Sequence, residues 1–139
     1  MGAHLSVPIY RRSLPQRLRL EGSRCQGCEL VQFPPLPHCP ACHGRRLSPF
    51  RLSGRGVIHA VTEVTAAGAP PEFAAQVQAD GAYCVAIIEL EEGAKITAQL
   101  VGFGAPPAIG QAVVAVVRRL YDEEGVIRYG FKFRPAEGE

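Results

Sequence analysis

Apolar positions along the chain follow two regimes. Between Arg24 and Leu47 large aliphatic residues are sparse and broken up by prolines, glycines and cysteines, whereas from Phe50 onward they come in β-branched runs and alternations. Ahead of the first regime, Met1 to Pro8 has no period and is expected to lie along a surface or to be disordered alone. Ile9 to Pro15 predicts a short helical turn, because Pro15 opposes a long helix. From Gln16 to Arg24, Leu18 and Leu20 alternate with Arg17, Arg19 and Glu21, the period of a half-buried strand. Val31-Gln32-Phe33 predicts another short strand, ended by Pro34-Pro35-Leu36-Pro37.

The second regime predicts strands throughout. Arg51 to Val64 is long and β-branched, and Gly54 and Gly56 within it suggest a bulge or sharp coil. Tyr83 to Glu91 and Ala94 to Val101 form a hairpin around Glu91-Glu92-Gly93. Ala112 to Tyr121 leads through the turn Asp122 to Gly125 into Val126 to Arg134. Five strands, the first long and kinked, are what a five-stranded Greek-key barrel needs. The connection Ala66 to Asp80 is too long for a hairpin loop, and long loops in compact domains are usually functional or disordered. Phe73 and Val77 within it would have little to pack on in a free barrel. On the last strand Tyr129, Phe131 and Phe133 alternate with basic residues, so the aromatics are expected inside and Lys132 and Arg134 on an outer stripe.

The chemistry of the first half rests on cysteine spacing. Cys25-Gln26-Gly27-Cys28 and Cys39-Pro40-Ala41-Cys42 are two tight turns whose four sulfurs can converge on one tetrahedral ion. The competing readings are a pair of disulfides or four packed thiols. Disulfides need an oxidising compartment, and no charged stretch followed by an apolar run and a small-residue cleavage site opens the sequence. Gly27 is expected to supply a left-handed turn residue, Pro40 to stiffen the second turn and Gly44 to let the chain leave it. Zinc is the default occupant, with iron as the alternative, and a closed four-sulfur site is architectural rather than catalytic. His38 and His43 flank the second pair and read as surface residues. A segment this poor in aliphatics relies on metal binding to fold, on the order of 10 kcal/mol. The expected organisation is a lead-in over 1–23, a metal-stapled ribbon over 24–49 and a barrel over 50–139.

Charge divides the chain unevenly. Residues 1–55 carry nine arginines against two acids, a balance of +7, and residues 56–139 carry six bases against eleven acids, a balance of −5. The first half is therefore the one expected to meet an anion or an acidic protein face. No stretch approaches the about twenty apolar residues of a membrane span, so a soluble, cytoplasmic protein is expected. Independent catalysis lacks a motif: Cys84, the only cysteine outside the two pairs, lies in an apolar strand with His59 as its one candidate base. Glu89, Glu91 and Glu92 bracket a turn and read as solvated. Single-stranded nucleic acid is the alternative partner, carried by the arginines, but the second and third barrel strands offer almost no aromatic surface for stacking.

The four-cysteine knuckles, Phe33-Pro34-Pro35, Ser53-Gly54-Arg55-Gly56 and Lys132-Phe133-Arg134-Pro135 together resemble the family of small proteins that pair a rubredoxin-like zinc ribbon with an OB-fold. Pro15-Gln16-Arg17 ahead of Leu20-Glu21-Gly22 is similar to the branch whose members accompany thiolases. Two residues depart from the pattern: Glu29 stands where a glycine is common, and Leu36 where an arginine often follows the paired prolines. The resemblance implies a mainly β fold, an N-terminal zinc ribbon followed by a five-stranded OB-fold barrel. It also implies a non-catalytic accessory subunit of a thiolase-like enzyme working on acyl-CoA, which completes or shapes the partner's substrate channel; in related assemblies the partner is of hydratase or aldolase type. Arg11, Arg12, Arg45, Arg46, Phe73, Lys132 and Arg134 are the candidate contacts to the partner or to CoA phosphates.

Overall fold

A computed structural model describes residues 7–123 and 125–136. The chain opens with helix α1 (Val7–Arg19), longer than the expected turn and passing through Pro15, so that Gln16 to Arg19, the first part of the expected strand, are its last turn and the strand into the first knuckle begins at Glu21. Pro15 removes one N–H from the helix ladder, but about two turns before it, one after it and packing of α1 against neighbouring strands hold the helix together. Leu20 ends the helix in a left-handed conformation (φ 50°) and turns its side chain, 3% exposed, into the core.

Strands β1 (Glu21–Cys25), β2 (Val31–Gln32) and β3 (Leu47–Arg51) form a three-stranded antiparallel sheet in the order β2-β1-β3. The expected single strand from Arg51 to Val64 is two strands, because β3 belongs to this small sheet and the chain turns at Gly54 (φ 78°) before β4 (Arg55–Thr65). The glycines of the Ser53-Gly54-Arg55-Gly56 stretch serve that corner. A Cβ on Gly54 would lie 3.1 Å from Ala115 Cβ, and one on Gly56 would run into the Glu89 carbonyl. The bulge itself falls at His59, where the register with β5 shifts between Ile58 and Ala60.

The remaining strands are β5 (Ala82–Leu90), β6 (Lys95–Gln99), β7 (Ala112–Glu123) and β8 (Val126–Pro135). With β4 they form a five-stranded antiparallel sheet in the order β6-β5-β4-β7-β8. Its two edges meet at one parallel bridge, Leu100 to Phe133, and the Val101 N–H donates to the Phe133 carbonyl at 2.9 Å. The sheet curls into the OB-type arrangement without sealing along its length. Alternate residues of the strands fill the interior: Ile58, Ile88, Val113 and Phe133 are at most 1% exposed, and Leu20 and Leu52 add to the same cluster from the ribbon side.

The connection between β4 and β5 is not an unpacked loop. It forms a 3-10 turn (Pro71–Phe73) and helix α2 (Ala74–Asp80), ended at Gly81, whose φ is 81° and whose N–H bonds the Val77 carbonyl. Val77 is 7% exposed, and the Phe73 ring lies 5.5 Å from those of both Tyr83 and Tyr121. The expectation that Phe73 and Val77 lack packing is thereby corrected; their i, i+4 spacing places both on the side of this segment that faces the sheet. The outer stripe expected on β8 is also corrected. Tyr129 is 51% exposed, whereas Lys132 is 7% exposed.

Candidate metal centre

The two knuckles are built alike. In each, the residue after the second cysteine takes a left-handed conformation, Glu29 at φ 65° and His43 at φ 62°, and its N–H bonds the carbonyl of the first cysteine at 2.9 Å. Gly27 does not have a positive φ, so the left-handed position of the first turn is Glu29 rather than Gly27. Nor does Gly27 supply needed room, for a Cβ there would meet Cys25 Sγ at 3.8 Å and Cys42 Sγ at 3.9 Å, ordinary contact distances. Gly44 in the second turn does keep space clear, since an added Cβ would lie 3.3 Å from Cys42 Sγ. Two further bonds, both 2.9 Å, complete the arrangement: Cys39 N–H to the Gly44 carbonyl closes the second knuckle on itself, and Gln26 N–H to the Arg46 carbonyl ties the first knuckle to the exit of the second.

These turns bring the Sγ atoms of Cys25, Cys28, Cys39 and Cys42 within 4.8 Å of one another, with Cys25 to Cys42 at 3.6 Å and Cys28 to Cys39 at 3.4 Å. A disulfide requires about 2.05 Å, whereas sulfurs about 2.3 Å from a common tetrahedral ion lie about 3.8 Å apart. The cage fits a metal ion, and all four thiols are free. Backbone geometry prepares two of them for it. The N–H groups of Cys28 and Gly27 hold the Cys25 thiol down to about 6, and Cys39 is lowered chiefly by the N–H of Cys42. The Leu30 N–H acts on Cys28 in the same direction, but the neighbouring Cys39 sulfur, burial and the other two sulfurs push it up to about 12. Four thiolates need a cation among them to coexist, and one ion bound by all four leaves no position for substrate.

The other candidate residues are spread over the molecule. Arg45 and Arg46 follow the second knuckle and are exposed, and Arg11 and Arg12 are exposed on α1, where Arg12 Nε donates to the Pro8 carbonyl at 3.3 Å. Arg134 is half-buried and donates to the Pro135 carbonyl at 3.0 Å. Lys132 is lowered by burial, with Asp80 of α2 acting in the opposite sense. Cys84 faces Glu63 across the β4–β5 register and helps line a cavity of about 490 Å3 together with Glu63, Asp80 and Tyr83. His59 is held 3.6 Å from Glu89.

Two contacts escaped the sequence reading. Glu92, read as solvated, accepts from the Ser53 hydroxyl at 2.7 Å and from its N–H at 3.1 Å, pinning the β5–β6 hairpin to the corner before β4. Gln76 Nε2 donates to Gln99 Oε1 at 3.1 Å, joining α2 to β6. The second was hinted at by Ile96, Ala98 and Leu100, whose period of two puts Gln99 on the opposite face.

Family models agree with this architecture. Residues 12–48 match the ChsH2 rubredoxin-like zinc ribbon domain and residues 51–118 the ChsH2 C-terminal OB-fold domain. The chain is 42% identical over 132 residues to a DUF35 domain-containing scaffold protein of Methanocaldococcus jannaschii, covering 91% of this chain and 88% of that one. It is 30% identical to the benzoylsuccinyl-CoA thiolase subunit BbsA of Thauera aromatica, over 83% of this chain and 75% of that one. A solved structure, the Ltp2-ChsH2(DUF35) aldolase, has a chain that superposes with a TM-score of 0.67 at 27% identity and 98% coverage of both chains. Ribbon, curled five-stranded sheet and near end-to-end similarity lead to one conclusion: the chain belongs to the family of ChsH2-type proteins that join a rubredoxin-like zinc ribbon to an OB-fold.

Proposed function

We propose that this chain is a non-catalytic, zinc-stapled accessory subunit of a thiolase-like enzyme acting on acyl-CoA, and that it completes or shapes the partner's substrate channel. The observation that carries the reading is the similarity, over most of both chains, to a subunit named for a CoA-ester thiolase, together with a fold match to the Ltp2-ChsH2(DUF35) aldolase. The metal cage supports an architectural role, since its four ligands close it. Zinc is the occupant we assign, because four thiolates suit it and a closed site has no use for redox chemistry. The exposed Arg11, Arg12, Arg45 and Arg46 are the proposed contacts to an acidic partner surface or to CoA phosphates. Phe73, Lys132 and Arg134 already have neighbours within the chain, so any contact they make would be through the surfaces they support.

The test is affinity purification of the tagged chain from its own source. A thiolase-like protein recovered in a fixed ratio, with acyl-CoA turnover absent from the isolated chain and present in the complex, is the expected result. Tight, salt-sensitive binding of a single-stranded oligonucleotide with no thiolase-like protein recovered would replace this reading with the nucleic-acid one.

A further inference from the structure

Helix α1 packs against β1 and β8, yet none of its 13 residues is buried. Helices of about 12–15 residues are marginal on their own in water, and Pro15 takes one bond from this one, so a helix so lightly covered gains from further burial. Tyr10, Leu14 and Leu18, at i, i+4 and i+8, share one stripe of α1, and that stripe stands opposite Val117 of β7 and Tyr129 of β8. The two walls do not close. A cleft of about 130 Å3 lies between them, and Tyr10, Leu18, Val117 and Tyr129 stay between 40% and 51% exposed.

Size and charge decide what can enter. Small molecules take sites of about 300–1,000 Å3, whereas this cleft has room for little more than one large side chain. A basic helix can also lie on a membrane, but its apolar stripe then has to face the lipid, and here it faces the β7–β8 hairpin. Arg17 and Arg128 line the same cleft, and α1 carries Arg11, Arg12 and Arg19 besides, with no acidic residue along its length. A two-fold contact with a second copy would bring another set of these arginines to the same place, which like-charge repulsion opposes. We infer that the cleft receives an aliphatic or aromatic anchor side chain from an acidic segment of the thiolase-like partner, whose carboxylates meet the arginines around the rim. The inference rests on the assembly proposed above and names a surface through which it forms. An anchor seated in a desolvated apolar pocket is where the energy of an interface concentrates.

The experiment measures, by surface plasmon resonance, the affinity of the metal-loaded full chain for the thiolase-like protein recovered with it. Leu18→Glu and Val117→Glu, both at exposed positions, should leave metal content and melting temperature unchanged and weaken binding about thirtyfold, the size of a hot-spot loss. Val117→Trp, which fills the cleft without adding charge, should weaken binding as well and keeps the proposal testable should the acidic variants not fold. The photo-cross-linker p-benzoylphenylalanine at position 18 should attach to an apolar residue within an acid-rich stretch of the partner; attachment to a stretch without acids would overturn the assignment. Wild-type affinity in all three variants removes the cleft and leaves the complex, whereas failure of the wild-type chain to recover any thiolase-like protein removes both. Dimerisation of the isolated chain, or its binding to a single-stranded oligonucleotide or to phosphatidylserine vesicles, would also overturn the assignment if Leu18→Glu abolished it, because the cleft would then belong to that other occupant.

Discussion

At the scale of single residues, the first knuckle shows how a departure from a family pattern becomes a physical statement. Glu29 holds φ 65° with a full side chain, a conformation that costs an ordinary L-residue about 1 kcal/mol and glycine almost nothing. Its one compensation is an ion pair with Arg24 at 3.1 Å, between side chains 74% and 44% exposed, and such pairs contribute little. Glu29→Gly should therefore stabilise the ribbon by about 1 kcal/mol, read as a higher chelator concentration needed to strip the metal. Lys132 gives a second prediction. Burial lowers its pKa, so the unfolded chain binds its proton more tightly than the folded one, and stability rises with pH between the folded and unfolded values. Lys132→Met should raise the melting temperature at neutral pH, corresponding to about 1 kcal/mol, and the gain should shrink as the pH climbs into the alkaline range. A variant less stable than wild type at pH 7 would mean that the charge has a stronger partner than Asp80.

Elements were legible to the extent that local pattern decides them. The cysteine spacing announced the metal cage because four ligands at fixed separations admit few geometries, and the β5–β6 and β7–β8 hairpins followed from alternation and turn residues. Two failures came from treating proline and length as decisive. Pro15 was expected to stop a helix that tertiary packing carries through, and the Ala66 to Asp80 stretch was expected to be unpacked although Phe73 and Val77 stand at helical spacing. The split between β3 and β4 was hidden because both sides of Gly54 read as strand, and only the left-handed glycine separates the sheets. The β4–β5 connection can be tested as an element. Phe73→Ala should cost about 3 kcal/mol and Val77→Ala about 1–2 kcal/mol in denaturant unfolding of the isolated chain. A loop that ordered only on a partner would show neither loss.

On the scale of the whole molecule, the ribbon and the curled sheet share a seam at Leu20 and Leu52, yet only the ribbon depends on the metal for its folding free energy. Chelation should release the amide protons of β1 and β2 to exchange while those of β5, central in the larger sheet, stay protected. The same division bears on the proposed association. The excess of positive charge lies in residues 1–55, and Arg45 and Arg46 leave the second knuckle directly, held there by a backbone whose Arg46 carbonyl accepts from Gln26. Two exposed guanidinium groups on a metal-rigidified turn forgo little conformational freedom in their backbone on meeting carboxylates or phosphates, so their contribution should appear mainly as steering and orientation. Reversing both to glutamate should leave metal content and melting temperature unchanged and lower affinity for the thiolase-like partner by at least tenfold at low salt. The deficit should narrow as ionic strength rises, because screening removes the wild type's attraction and the variant's repulsion together. Equal affinity of variant and wild type at low salt would show that this turn faces away from the partner, and would shift the anion contact to Arg11 and Arg12 on α1.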